Sequence, residues 1–202
     1  MENNVEQKPQ TNMLAPEPKW KKHARDAWDL VKFAIIALAI VVPIRMWIAQ
    51  PFVVSGDSMV PTFHNGEYLI VDEISYIVGT PKRGDVVIFK YPNDPSRYFI
   101  KRIIGLPNEE VNIKNGEITI KNKENPDGFK LTEPYLNEKF TTTENQKIGD
   151  EEYFVMGDNR NRSSDSRSWG LLPRENMTGR AFLRLLPIKK ISYLPGYYQE
   201  AK

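Results

Sequence analysis

The segment SGDSMVPTF, residues 55–63, holds Ser58 in a turn framed by Gly56 and Pro61. A serine hydroxyl is a weak nucleophile until a neighbouring base removes its proton, and histidine is the commonest base. The chain has 2 histidines. His23 precedes the one long apolar run and Ser58 follows it, while His64 shares the turn-rich segment, so a Ser58–His64 pair needs the chain to fold back across Pro61. Lysine is the other base open to a serine. Its ordinary pKa of about 10.4 keeps it protonated at neutral pH, and lowering that to about 7.5–8 means disfavouring the ammonium by roughly 3.5–4 kcal/mol. Burial among apolar groups can do this.

YFIKRIIG, residues 98–105, offers such a place. Alternate residues of a strand share a face, which puts Phe99, Lys101 and Ile103 on one side and Tyr98, Ile100 and Arg102 on the other. Lys101 then sits between two large apolar neighbours. Arg102 faces away and needs a carboxylate, and GDNRNRSSDSR, residues 157–167, supplies Asp158 and Asp165. A single lysine in a strand is ordinarily a solvated edge residue; Lys101 draws its meaning from Ser58.

The elements that must hold these residues are mostly strands. EYLIVDEI (67–74) and GDVVIFKY (84–91) are rich in β-branched and aromatic residues, with the turn chemistry of GTPKRGD (79–85) between them. VNIKNGEITI (111–120) predicts a hairpin closed by a type I′ turn at Asn115-Gly116, with Ile113 facing Ile118, Val111 facing Ile120 and Lys114 facing Glu117. Residues 121–150 are polar and broken by Pro and Gly, which predicts an excursion over the surface. EEYFVMGDNR (151–160) and GRAFLRLLPI (179–188) read as further strands. The expected fold class is mainly β, an antiparallel sheet or barrel-like catalytic domain over residues 50–202, behind one N-terminal transmembrane helix.

Ahead of that domain, residues 1–26 are expected to be a disordered cytoplasmic tail, polar and without periodicity over its first 20 residues. Residues 27–49 are expected to be a transmembrane anchor. The uninterrupted apolar stretch between Lys32 and Arg45 is short for a span, but both side chains can reach the headgroups, and residues 28–49 give roughly 30 Å of helix. Trp28 and Trp47 fall where an aromatic belt lies. The alternatives are a core helix, which would carry a polar stripe, and a cleaved secretory signal. Lys19, Lys21, Lys22 and Arg25 precede the run and no Lys or Arg follows from Met46 to Pro81, so the N-terminus is expected in the cytoplasm and the domain outside.

Composition removes several classes of function. The formal net charge is +2 and no basic stripe is interleaved with aromatics, so nucleic acid is not an expected partner. There are 0 cysteines, which excludes disulfides, thiol catalysis and cysteine–zinc sites. Two distant histidines do not make a histidine-rich metal cage, which leaves only a carboxylate site for a hard cation open; no cofactor and no metal are expected.

In several ordered blocks, from the apolar run to about Trp169, the chain resembles the membrane-anchored type I signal peptidases, particularly the single-span Gram-positive form. SGDSMVPTF resembles the nucleophile block, RGDVVIF the next strand, YFIKRIIGLPNE the general-base block and GDNRNRSSDSR the last. The resemblance implies a serine endopeptidase with a Ser58/Lys101 dyad acting through an acyl-enzyme, with Ser163 orienting the lysine amine. It implies that Asp158, Arg102, Asp165 and Arg167 support the site's geometry. Its substrates would be secretory preproteins cut after small residues at the first and third positions before the cleaved bond, and its other partner the lipid bilayer. Two-span relatives carry an oxyanion-binding serine two places before the nucleophile, and this chain has Gly56 there, so the oxyanion is expected on main-chain N–H groups including that of Ser58. Phe52, Val53 and Val54 are expected either at the headgroups or in the core of the first strand. The rival readings are a soluble self-cleaving repressor, which would carry a DNA-binding domain in place of the apolar run, and an inactive tethered β-domain.

Overall fold

Two compact units divide the chain after Pro43, and the computed structural model describes residues 19–43 of the first and 49–198 of the second. In the first, Lys19–Pro43 forms one 25-residue helix, α1. Lysine, alanine and leucine recur along it, all strong helix formers.

This helix begins inside the stretch expected as a tail, because the helix propensity of KWKKHARDAW outweighs its polarity. Ala49, expected as the last residue of the anchor, instead opens the first strand. Residues 1–18 and 44–48, which carry the rest of the expected tail and anchor, lie outside the described residues. Among the described residues no helix is long and apolar enough to cross a membrane; Arg25, Asp26, Asp29 and Lys32 occupy the middle of α1. The large apolar side chains beyond them, including Leu30, Phe33, Ile36, Leu38 and Ile40, are exposed.

The described residues of the second unit form twelve strands: β1 (Ala49–Val53), β2 (Tyr68–Asp72), β3 (Val86–Tyr91), β4 (Asp94–Gly105), β5 (Glu110–Lys114), β6 (Glu117–Lys121), β7 (Phe129–Lys130), β8 (Glu144–Lys147), β9 (Glu152–Met156), β10 (Leu172–Pro173), β11 (Met177–Leu186) and β12 (Ser192–Tyr193). Every pair is antiparallel. The larger sheet runs as an open path β1-β2-β11-β3-β4-β9-β10, with β12 on β11, and the smaller runs β7-β6-β5-β8.

β3 shows why the larger sheet is held in place. Its VVIF run is buried at every position, Val86 and Ile88 entering one apolar cluster with Met59, Phe63 and Leu69, and Val87 and Phe89 entering another with Ile103 and Val155. A strand covered on both faces has no reason to alternate. Phe52 packs against the first of these clusters and Val54 belongs to it, whereas Val53 is exposed.

The β5–β6 hairpin has the register read from the sequence, Ile113 opposite Ile118, Val111 opposite Ile120 and Lys114 opposite Glu117. Asn115 and Gly116 have φ of 51° and 80°, the two left-handed residues of a type I′ turn. Residues 121–150, expected as a surface excursion, instead supply both outer strands of the smaller sheet and bury Leu131, Phe140 and Ile148 in its core. Single apolar anchors set far apart in polar sequence carry no period, which is why composition concealed them. β2 also stops short of the expected strand: the Asp72 carboxylate accepts from the Ser75 N–H at 3.0 Å and turns the chain into a short helix, α2 (Ile74–Val78).

Candidate active site

Ser58 lies on the turn between β1 and β2, fixed from both sides. The turn is anchored in the core by Met59 and Phe63, both essentially fully buried, and the Phe63 N–H donates to the Met59 carbonyl at 2.9 Å. Gly56 has φ of 86° with open space where a Cβ would stand, so the residue is glycine for its backbone conformation and not for close approach. Its N–H donates to Asn65 Oδ1 at 3.0 Å. Below the turn, Arg184 Nε lies 3.2 Å from Glu67 Oε2 and Arg184 Nη2 donates to the Thr62 carbonyl at 2.8 Å.

The other wall is β4. Lys101 pairs with Val87 across the sheet, is 4 % exposed, and brings its Nζ to 2.8 Å from Ser58 Oγ and 2.9 Å from the Ile100 carbonyl. The Phe99 ring, centred 5.2 Å from the amine, covers it. Burial pushes the lysine down from its ordinary 10.5 to about 8, against the upward pull of Asp165 and Asp158. His64 is turned elsewhere, its exposed ring lying 3.7 Å from Glu67 and 3.5 Å from Lys190.

Of the two carboxylates offered to Arg102, the structure uses Asp158. The guanidinium is fully buried and bidentate, Nε to Oδ1 at 2.8 Å and Nη2 to Oδ2 at 2.6 Å, and Thr62 Oγ1 also donates to Asp158. One carboxylate therefore joins the strand of Lys101 to the turn of Ser58. Asp165 instead caps α3 (Ser166–Trp169), accepts from the Gly157 N–H at 3.0 Å, and takes Arg167 Nε and Nη2 at 2.8 Å each. Ser163, expected to hydrogen-bond the lysine amine, makes no such bond: its Oγ is buried without a partner, and the amine's second contact is the Ile100 carbonyl.

Several residues that position the pair escaped the sequence reading. The Asn159 N–H donates to the Ser58 carbonyl at 3.0 Å and its side chain to the Asp57 carbonyl at 3.1 Å. A Cβ on Gly157 would stand 2.4 Å from the Ser58 carbonyl oxygen, so only glycine lets the two segments meet. Arg160 pairs with Glu133, out of the stretch read as surface. The adjacency of Gly157 and Asn159 to Asp158 was the available signal; nothing in the sequence pointed to Glu133.

A cavity of about 520 Å³ opens on the pair, its walls including Val54, Leu69, Ile88 and Ile100. β1 pairs only with β2, and β4 gains β9 only from Arg102 onward, so β1 and the Arg97–Ile100 stretch of β4 each offer an unpaired strand edge to it among the described residues. A nucleophile beside a base of lowered pKa, in a groove between two open strand edges, suits attack on the backbone of an extended peptide.

Comparison with known proteins decides the family. The sequence profile of signal peptidase, peptidase S26, matches residues 27–186. The chain belongs to the signal peptidase S26 family. It is 34% identical over 193 residues to a probable signal peptidase I-2 of Synechocystis sp. (strain ATCC 27184 / PCC 6803 / Kazusa), covering 91% of this chain and 86% of that one. It is 36% identical over 183 residues to signal peptidase I of Bacillus licheniformis, covering 85% and 94%. A crystal structure of a signal peptidase I from Enterococcus faecalis V583 shares 30% identity and covers 51% of this chain and 97% of that one, with a TM-score of 0.44. As a signal peptidase the chain is a hydrolase, and its substrates are preproteins that carry signal peptides.

Proposed function

We propose that this signal peptidase is a membrane-bound serine endopeptidase in which Ser58 is the nucleophile and Lys101 the general base. The observation that carries the reading is the 2.8 Å approach of Lys101 Nζ to Ser58 Oγ in a site whose burial lowers the amine to about 8. The neutral amine takes the Ser58 proton as Oγ attacks the scissile carbonyl, then returns it to the departing peptide amine. The same amine deprotonates a water that hydrolyses the acyl-enzyme and frees Ser58. The Ser58 N–H, which has no intramolecular acceptor among the described residues, serves the oxyanion. Gly56 adds nothing there, having no side chain and its N–H committed to Asn65. Ser163 holds the amine during turnover, a reading its buried, unpartnered Oγ supports. Asp158, Arg102, Asp165 and Arg167 keep the geometry and take no part in bond making.

The peptide adds to the open strand edges. Because alternate residues of an extended chain point the same way, the first and third residues before the cut enter the cavity together. Walls of Val54, Leu69, Ile88 and Ile100 receive alanine and exclude larger side chains by clash. The exposed apolar residues of α1 supply the anchor in the bilayer, with the basic residues at its start in the cytoplasm and the second unit outside.

The test is cleavage of a purified preprotein by variants. Ser58→Ala and Lys101→Ala are each expected to remain folded and to lose all measurable turnover. Retained turnover in either one removes the dyad.

A further inference from the structure

The segment that follows β12 does not trail away from the domain but lies across the far side of the catalytic region. It turns at Leu194, whose N–H donates to the Phe182 carbonyl at 2.7 Å and whose carbonyl accepts from the Tyr197 N–H at 3.0 Å. Its next contacts are with the machinery already described. The Gly196 carbonyl accepts from Arg102 Nη1 at 2.5 Å, beside the Gly84 carbonyl at 2.9 Å. A Cβ on Gly196 would stand 2.6 Å from Thr62 Cγ2 and 3.1 Å from Phe63 Cε2, and a Cβ on Gly84 would stand 1.9 Å from the Tyr198 carbonyl oxygen. The Tyr198 ring meets the edge of Tyr135 at 5.7 Å, and Tyr135 lies under the Arg102 guanidinium at 3.9 Å.

We propose that Leu194–Tyr198 is a positioning strap for the Ser58/Lys101 pair, acting through Arg102. The proposal rests on the dyad reading above. A guanidinium has five N–H donors; Arg102 makes four hydrogen bonds, two to Asp158 and two to backbone carbonyls, and one of the carbonyls belongs to the strap. With the strap lifted, a fully buried cation loses an acceptor, and the Tyr135 ring beneath it loses the support of Tyr198. Arg102 is the residue after Lys101, and its partner Asp158 also holds Thr62 on the nucleophile turn. A shift of Arg102 therefore moves base and nucleophile relative to each other.

The decisive variant is Gly196→Ala in the full chain, since alanine resists the φ of 74° and its methyl meets Thr62. Its kcat is expected to fall on the order of a hundredfold, with KM nearly unchanged. The acid limb of its pH–rate profile is expected to move to higher pH, because looser neutralisation of Asp158 by Arg102 lets its charge favour the ammonium. Tyr198→Ala should do the same to a smaller extent, and Tyr198→Phe, which keeps the ring against Tyr135, should restore both readouts. Folded Gly196→Ala and Tyr198→Ala proteins with unmoved acid limbs, even at lowered melting temperature, would reduce the strap to ordinary packing and overturn the proposal. The Ser58→Ala chain run alongside separates the two readings: turnover there defeats the dyad, and turnover lost there but undisturbed in the strap variants defeats the strap alone.

Discussion

Lys101 is where opposing forces on one side chain are resolved. Two carboxylates close enough to raise its pKa are outweighed by desolvation. Each carboxylate is already neutralised by its own arginine, Asp158 by Arg102 and Asp165 by Arg167, so little net field reaches the amine. The same balance dictates a pH dependence. The folded value of about 8 lies below the ordinary 10.5, so between those values the unfolded chain binds the extra proton, and stability rises with pH through that window. Below about 8 both states are protonated and the full cost, about 3 kcal/mol, stands. Lys101→Met is therefore expected to abolish cleavage and to raise unfolding stability near neutral pH by as much as that. The gain should shrink as pH rises from about 8 towards 10.5, as denaturant melts at several pH values would measure. Loss of stability at neutral pH would mean that the amine is solvated. The pairing of Phe99, Lys101 and Ile103 on one face was legible because strand alternation is rigid. The unbonded Ser163 hydroxyl was not, because a short side chain's rotamer leaves no trace in the sequence.

At the scale of elements, the site depends on how β4 is tied to the turn that follows β9. Arg102 and Asp158 make that tie with both side chains at 0% exposure, and a buried pair broken on one side leaves an uncompensated charge. Asp158→Asn should lower stability by about 3–5 kcal/mol and slow cleavage as well, since the amide leaves one acceptor oxygen where Arg102 and Thr62 use two. Chemical denaturation and steady-state kinetics on the same preparation would measure both, and a near-neutral change in stability would count against the clasp. How well elements could be read followed from how local their causes are. The β5–β6 hairpin is set by Asn115-Gly116 and by strict alternation, all within ten residues, and its register could be read directly. β7 and β8 exist because β6 and β5 are there to pair with, and α2 exists because one aspartate captures a serine three residues beyond the end of its strand. Such causes lie outside the segment they shape.

For the whole molecule, the division after Pro43 separates two kinds of stability. All three apolar clusters of the second unit draw on its own residues, from Phe52 to Ala181, so its folding does not call on α1. Among the described residues the first unit shows no such core, and its large apolar side chains are exposed along the helix. Exposed surface of that size requires a cover, and in the reading proposed above the cover is lipid. Helix propensity and hydropathy act together in this region, which is why a helix was expected although it begins earlier, at Lys19, and Ala49 belongs to a strand. In that reading the proposed orientation rests on charge, four basic residues at the start of the helix and none between Met46 and Pro81. In closed right-side-out vesicles, protease added outside should therefore digest or detach the second unit and spare the N-terminal residues, which an antibody to each end would detect. A chain begun at Ile44 should stay in the aqueous phase, remain folded and still cleave short peptides, because everything that positions Ser58 and Lys101 lies after that point. Digestion of the N-terminal end alone would reverse the topology, and a shortened chain that folds but still partitions with lipid would show that α1 is not what holds the enzyme at the membrane.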